Sequence, residues 1–379
     1  MSSPDSSHTR RDAVDGPAGS RIAVYGSAIS YFTGKLEGYL RYKQIPYDRV
    51  PMTLRHFNRT VPRATGVAQM PAVALPDGRW MTDSTPMIEW FEQQYPEPAV
   101  IPRQPLTAFV SRLLEDYADE WLWRPAMHFR WSYRPDALLL SHRIVEELLP
   151  DLPVPAVLKR WMIRQRQFRG WVRGDGVTAY TRAHVEGIYL RTLAALDAIF
   201  ATRPFLLGGA PTLADFGFFA SMFRHFGLDP TASRLMRDRA PHVYEWVARL
   251  WNARADRTRG ALVEGVPDDW GPLLDDVGEA YLPYLCANAD ALAAGRRRFD
   301  VTIQGTHYRR LPTSRYRVWC LERLRRHHDA LPVEIRSQAR RHLEQHGCWE
   351  PLWRVPDPRS GHDPDGRAPF ARGLKVFPY

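Results

Sequence analysis

Residues 69–84 read Gln69-Met70-Pro71-Ala72-Val73-Ala74-Leu75-Pro76-Asp77-Gly78-Arg79-Trp80-Met81-Thr82-Asp83-Ser84. Two short apolar runs, 72–75 and 79–82, flank Pro76-Asp77-Gly78. In that turn proline pre-sets one dihedral and glycine tolerates the other, so the stretch predicts a β-hairpin. Ser84 then reads as a helix N-cap, with Ile88, Trp90 and Phe91 apolar behind it and Pro96 and Pro98 ending the helix.

Upstream, residues 21–25 (RIAVY) form a β-branched run that stops at Gly26, which predicts a strand. A loop over 27–31 leads to a helix over 32–43, with Leu36, Tyr39 and Leu40 at helical spacing and Ile45-Pro46 as its stop. Residues 47–52 alternate and predict a second strand, parallel to the first. Residues 55–66 read as irregular. The order βαβ, irregular segment, ββα is that of a thioredoxin-like domain over residues 21–98.

Downstream, strand signals vanish from 105 to 259 and helical patterns take over at 106–131, 138–149 and 180–200, which predicts an all-helical second domain. The fold class is therefore α+β with two domains. Thr212 with Asp215 three residues on is a capping-box variant opening a helix that carries Phe216, Phe219 and Phe223 on one face. Residues 260–379 read as a mostly helical extension, with patches at 273–294 and 315–346, a small hairpin around Gly305, and a loose stretch over 357–369. The Ser-rich residues 1–20 read as a flexible tail. No internal repeat is detectable.

The chain has 379 residues, 44% hydrophobic and 12% aromatic, enough for two or three globular cores. There is no run of 18 apolar residues and no secretory h-region, so a cytoplasmic protein without a membrane partner is expected. Only Cys286, Cys320 and Cys348 occur. Their odd number argues against a disulfide framework, and a catalytic cysteine in the first domain is excluded. The formal charge is +10, but Lys35, Lys43, Lys159 and Lys375 are the sole lysines and the excess is arginine. With no recognition motif beside it, that charge does not argue for nucleic acid. His342, His346 and Cys348 have metal-like spacing without a fourth ligand, so no metal is expected, and His327-His328 reads as a solvated basic face.

Over residues 21–259 the chain resembles the glutathione S-transferases. The resemblance rests on three features. Gln69-Met70-Pro71-Ala72-Val73 is similar to the family's apolar residue before a cis-proline that leads a strand. It implies that the backbone of Met70, before Pro71, pairs with the cysteinyl backbone of glutathione. Asp83-Ser84 is similar to the family's acidic-Ser pair. It implies that Ser84 and the helix N-terminus hold the γ-glutamyl carboxylate, with Asp83 accepting from the ammonium. Arg55 and His56 are candidates for the glycyl carboxylate. The third feature is the loop after the first strand, where the family places the hydroxyl or thiol that works on the glutathione sulfur. Ser30, at the start of the helix, matches that position best, and Ser27 and Tyr25 remain alternatives. The loop lacks the proline that usually follows the catalytic residue.

An apolar co-substrate should then lie between the domains, with Tyr117, Trp121, His128 and Trp131 as candidate walls. The resemblance implies a glutathione transferase acting on an apolar electrophilic small molecule, with glutathione as co-substrate, no metal, and a homodimeric assembly. Lyase, isomerase or dehalogenase chemistry fits the same pattern. A non-catalytic binding or scaffold protein that interacts through its extension is the alternative from another class.

Overall fold

The computed structural model describes residues 21–258 and 260–376. The expected tail at 1–20 lies outside them. Strand β1 (Ile22–Gly26) is buried along its whole length, as its apolar sequence requires. Ser30 then caps helix α1 (Tyr31–Tyr42), its hydroxyl accepting from the Thr33 N–H at 3.3 Å. Strand β2 (Tyr47–Pro51) pairs with β1 in parallel, Ile22 opposite Tyr47.

The segment expected to be irregular is instead helical, with a π-turn at His56–Thr60 running into α2 (Val61–Thr65). Two causes hid it from the sequence. Val61 and Thr65 are its only buried residues, so there is no apolar period, and Pro62 sits in the first turn of α2, where its missing N–H costs nothing. Strands β3 (Ala72–Ala74) and β4 (Trp80–Thr82) form the hairpin, and the sheet order is β2-β1-β3-β4. Helix α3 (Ser84–Gln94) follows.

The helical region holds α4 (Pro105–Glu120), α5 (Trp123–Ser132), α6 (Arg134–Leu148), α7 (Ala156–Gln167) and α8 (Arg182–Phe200). The stretch 106–131, expected as one helix, breaks at Trp121-Leu122. After a second gap come α9 (Leu213–Ser221), α10 (Pro230–Arg239) and α11 (Pro241–Asn252). The Asp215 carboxylate accepts from the Thr212 N–H at 2.9 Å, closing the cap of α9, and also from the Leu206 N–H and the Trp246 indole. Gly217 lets α9 approach α4 closely, since a Cβ there would lie 2.8 Å from the Glu115 Cα.

The extension contributes α12 (Gly271–Asp276), α13 (Leu282–Ala293), the hairpin β5 (Arg298–Ile303) and β6 (Thr306–Pro312), α14 (Arg315–Asp329), α15 (Val333–Gln345) and α16 (Trp349–Trp353). The patch expected at 315–346 is two helices, separated at Pro332, which cannot donate a helical hydrogen bond. The extension shares its core with the rest, one apolar cluster running from Ile22 to Val355. Helices α14 and α15 lie against α4, and Tyr281 donates to Asp116 at 2.6 Å.

Residues 357–376 contain no regular element yet are anchored. Ser360 bonds Glu322, the Thr82 N–H donates to the Pro369 carbonyl at 3.2 Å, and the Gly373 N–H donates to the Thr65 carbonyl at 2.7 Å. The chain thereby returns along the β4 edge of the first sheet.

Candidate functional site

A cavity of about 710 Å³ opens where the sheet domain meets α5, α6 and α7. Its polar end is built by three loops that the sheet brings together. The loop after β1 presents Ser27 and Ser30, the turn before β3 presents Met70 and Pro71, and the start of α3 presents Asp83 and Ser84. The Met70-Pro71 peptide is cis. Ser84 opens α3, so that helix's first amides border the cavity with partial positive charge.

The three candidate hydroxyls differ in what they already do. The Ser27 Oγ donates to Glu147 Oε2 at 2.7 Å, and the Ala28 N–H donates to the same carboxylate, so α6 clamps this part of the loop. Ser30 Oγ accepts the cap bond from Thr33, which leaves its proton free to donate. Tyr25 does not line the cavity. It is buried in a small cluster with Met52, Val61 and Ala72, its ring 4.9 Å from Trp80 and edge-on to His56. Strand alternation decides this, because Ile22 and Val24 face the main core and the odd-numbered residues face the other way.

Asp83 adopts φ 75° and its carboxylate is enclosed. Burial pushes its pKa up against the opposing charge of Arg323 and the hydroxyl of Tyr316, which donates to Asp83 Oδ2 at 2.9 Å. Tyr316, Lys375 and Val376 all line the cavity, so the extension supplies one of its walls. The Ser314 hydroxyl donates to the Val376 carbonyl at 3.0 Å and holds that wall in place. The other lysines are engaged inside the protein. Lys35 is buried against Glu115 and Asp119, whose charges overcome the desolvation that would strip its proton. Lys43 bonds Glu92, and Lys159 bonds the Leu149 carbonyl at 2.7 Å. Lys375 is exposed at the rim.

The remaining wall is apolar. Trp123, Met127 and Trp131 form an i, i+4, i+8 stripe along α5, faced by Ile144 and Leu148 of α6 and by Trp171. His225 closes the floor, its imidazole kept well below the ordinary pKa by burial and by the charge of Arg130. It is therefore neutral at physiological pH.

The sequence model for the N-terminal domain of glutathione S-transferases matches residues 24–99, and that for the C-terminal domain matches residues 179–253. These two stretches carry the two domains of the glutathione S-transferase family. No curated protein matches the sequence. Among solved structures, a glutathione S-transferase of Rhodospirillum rubrum is 20% identical, with a TM-score of 0.41 over 62% of this chain and 90% of that one. The tau-class enzyme of mango is 15% identical, with a TM-score of 0.42 over 64% and 94%. A Methylobacterium radiotolerans member solved with glutathione sulfonate is 19% identical, with a TM-score of 0.38 over 65% and 98%.

Of the four aromatic walls expected from the sequence, only Trp131 lines the cavity. Tyr117 donates to Asp276 Oδ2 at 2.8 Å, and Trp121 packs on Tyr284, so both face the extension. His128 bonds Glu186 at 2.9 Å and Ser132 at 2.8 Å, away from the cavity. The α5 stripe of Trp123 and Met127 takes the place assigned to Tyr117 and Trp121; at about 100° per residue Trp123 lies roughly 200° round the helix from Trp121, on the opposite face. The i, i+4 spacing of Trp123, Met127 and Trp131 was visible in the sequence, but which face of the helix meets the cavity was not. His56 is turned to the Pro51 carbonyl at 3.0 Å, and neither it nor Arg55 lines the cavity, whereas Asn58 and Gln69 do. His346 bonds Asp275 and the Cys348 thiol donates to the Leu274 carbonyl, so these two point to separate partners.

Proposed function

We propose that the protein is a glutathione transferase joining the glutathione sulfur to an electrophilic carbon of an apolar small molecule. The observation that carries this reading is the convergence of Ser30, Met70-Pro71 and Asp83-Ser84 on one end of a cavity whose other end is apolar. In this reading the Met70 backbone pairs with the cysteinyl unit, and Ser84 with the α3 amides receives the γ-glutamyl carboxylate. Asp83 faces the ammonium, its position held by Tyr316. Lys375 adds a cation for a glutathione carboxylate, a contribution from the extension.

Ser30 is the group assigned to the sulfur. Its hydroxyl donates to the thiolate and, with the N-terminus of α1 beside it, lowers the thiol pKa. The thiolate then attacks the electrophilic carbon, forming the C–S bond as the leaving group departs with its electron pair. Ser27 is already committed to Glu147, which favours Ser30. The three cysteines are buried and free, in keeping with a reducing, cytoplasmic setting, and a homodimer is the expected assembly.

Calorimetric titration with glutathione and turnover of an activated aryl halide test the proposal. Saturable binding together with conjugation is expected. Binding without conjugation of any electrophile would leave the binding-protein reading. No binding at millimolar glutathione would overturn both.

A further inference from the structure

Helix α7 is inverted relative to the rest of the protein. Its one buried side chain is Lys159, whereas Val157, Leu158, Trp161 and Met162 stand in solvent, Val157 at 71% and Trp161 at 52% exposure. Among the described residues twelve large apolar side chains are exposed, and these four, with Leu138 on the adjoining α6, make up five of them. Such a concentration marks an interaction surface rather than scattered surface residues.

The charge around the stripe indicates the partner. Residues 151–174 contain six bases, Lys159, Arg160, Arg164, Arg166, Arg169 and Arg173, against the single acid Asp151. At roughly 100° per residue the apolar positions lie on one face of α7, which they share with Gln165, with Arg160 and Arg164 on one margin and Arg166 on the other. Arg160 and Arg164 are steadied by His142 and Ser141. An apolar stripe carrying Trp and flanked by Arg on both sides is the arrangement of a helix lying in a lipid interface.

We infer that α7, with Leu138 of α6, is a peripheral docking surface for an anionic phospholipid bilayer. No helix among the described residues is long and apolar enough to cross a membrane, so the contact is interfacial. A second copy of the chain is the less favourable occupant. Seating two such faces together would bring two arginine-rich margins into contact, whereas anionic headgroups neutralise them. Lys159, Met162 and Arg166 also line the cavity, so docking would set its mouth at the lipid surface. On the reading proposed above, an apolar co-substrate dissolved in the bilayer could then enter directly.

Vesicle flotation of the full chain tests the docking without reference to glutathione. On roughly 3:1 phosphatidylcholine–phosphatidylserine vesicles, binding at least about tenfold stronger than on phosphatidylcholine alone is expected, falling steeply with salt. Val157→Asp and Trp161→Asp, both at exposed positions outside the cavity, should each weaken it at least about tenfold, with the thermal melt unchanged. Equal binding to both vesicle types, or binding that neither variant weakens, would overturn the inference. So would a dimer in light scattering that Trp161→Asp dissociates with no vesicle binding, which would make the face an interface between copies.

Discussion

Removing the Ser30 hydroxyl separates its role as the cap of α1 from the role proposed for it at the glutathione sulfur. Ser30 Oγ accepts from the Thr33 N–H at 3.3 Å, a long cap bond. Ser30→Ala should therefore cost stability near the lower end of the usual ~0.5–2 kcal/mol, and Ser30→Gly only a few tenths. In the proposed complex the same oxygen donates to a thiolate, and a hydrogen bond to a charged acceptor contributes about 1.5–3 kcal/mol. At about 1.4 kcal/mol per pKa unit, its loss should raise the thiol pKa of bound glutathione by about one to two units. That cuts the thiolate present at neutral pH by roughly ten- to a hundredfold. Ultraviolet titration of the bound thiolate reads this directly. Ser30→Gly isolates the chemical effect from the cap, Ser30→Thr should restore the wild-type titration, and Ser27→Ala should leave it in place. An unchanged thiol pKa in a Ser30→Gly protein saturated with glutathione would refute the assignment, as would a shift produced by Ser27→Ala instead.

Tyr316→Phe removes the hydroxyl that donates to Asp83 and should raise the KM for glutathione roughly tenfold, about 1.4 kcal/mol, with kcat nearly unchanged. A fall in kcat at constant KM in steady-state kinetics would contradict that role. Glu89 ties α3 to α4 and α14 through Arg112 and Arg323. Burial alone would raise its pKa, but Arg323, Arg112 and His327 together lower it from 4.5 to about 2. The native state therefore stays ionised where the unfolded chain takes up a proton. The resulting stabilisation, at most about 3 kcal/mol, is complete above about pH 4.5 and lost as the pH falls toward 2. Urea midpoints measured across that window should drop more steeply for the wild type than for Glu89→Gln, and parallel curves would refute the clamp. Gly217→Ala would press a methyl against the α4 backbone at Glu115 and should cost about 1–3 kcal/mol, read as a melting temperature several degrees lower. An unchanged melt would show that α4 and α9 can separate freely.

The elements of the first domain were legible because their signals are local. The turn at Pro76-Asp77-Gly78 and the alternation of residues 47–52 act over a few residues, as does the cap at Thr212, and each stands where it was read. The cap expected at Ser84 falls instead on Asp83, whose side chain makes no cap bond, and Ser84 is the first helical residue. The α2 segment was missed because a mostly exposed helix carries no apolar period. The aromatic walls went wrong for a different reason. Tyr117, Trp121 and Trp131 follow a plausible single-helix pattern, but Tyr117 and Trp121 face the extension, and which side of the helix meets the cavity is set by packing against distant elements.

By itself, the sequence determined the order βαβ-ββα, the helical region behind it, and the three loops that resemble a glutathione site. Tertiary structure alone decided which hydroxyl keeps a free proton, which aromatics line the cavity, and that the extension returns to the site. The bond from Tyr316 to Asp83 joins residues 233 positions apart. No local propensity encodes such a contact, since it exists only once the intervening helices have packed.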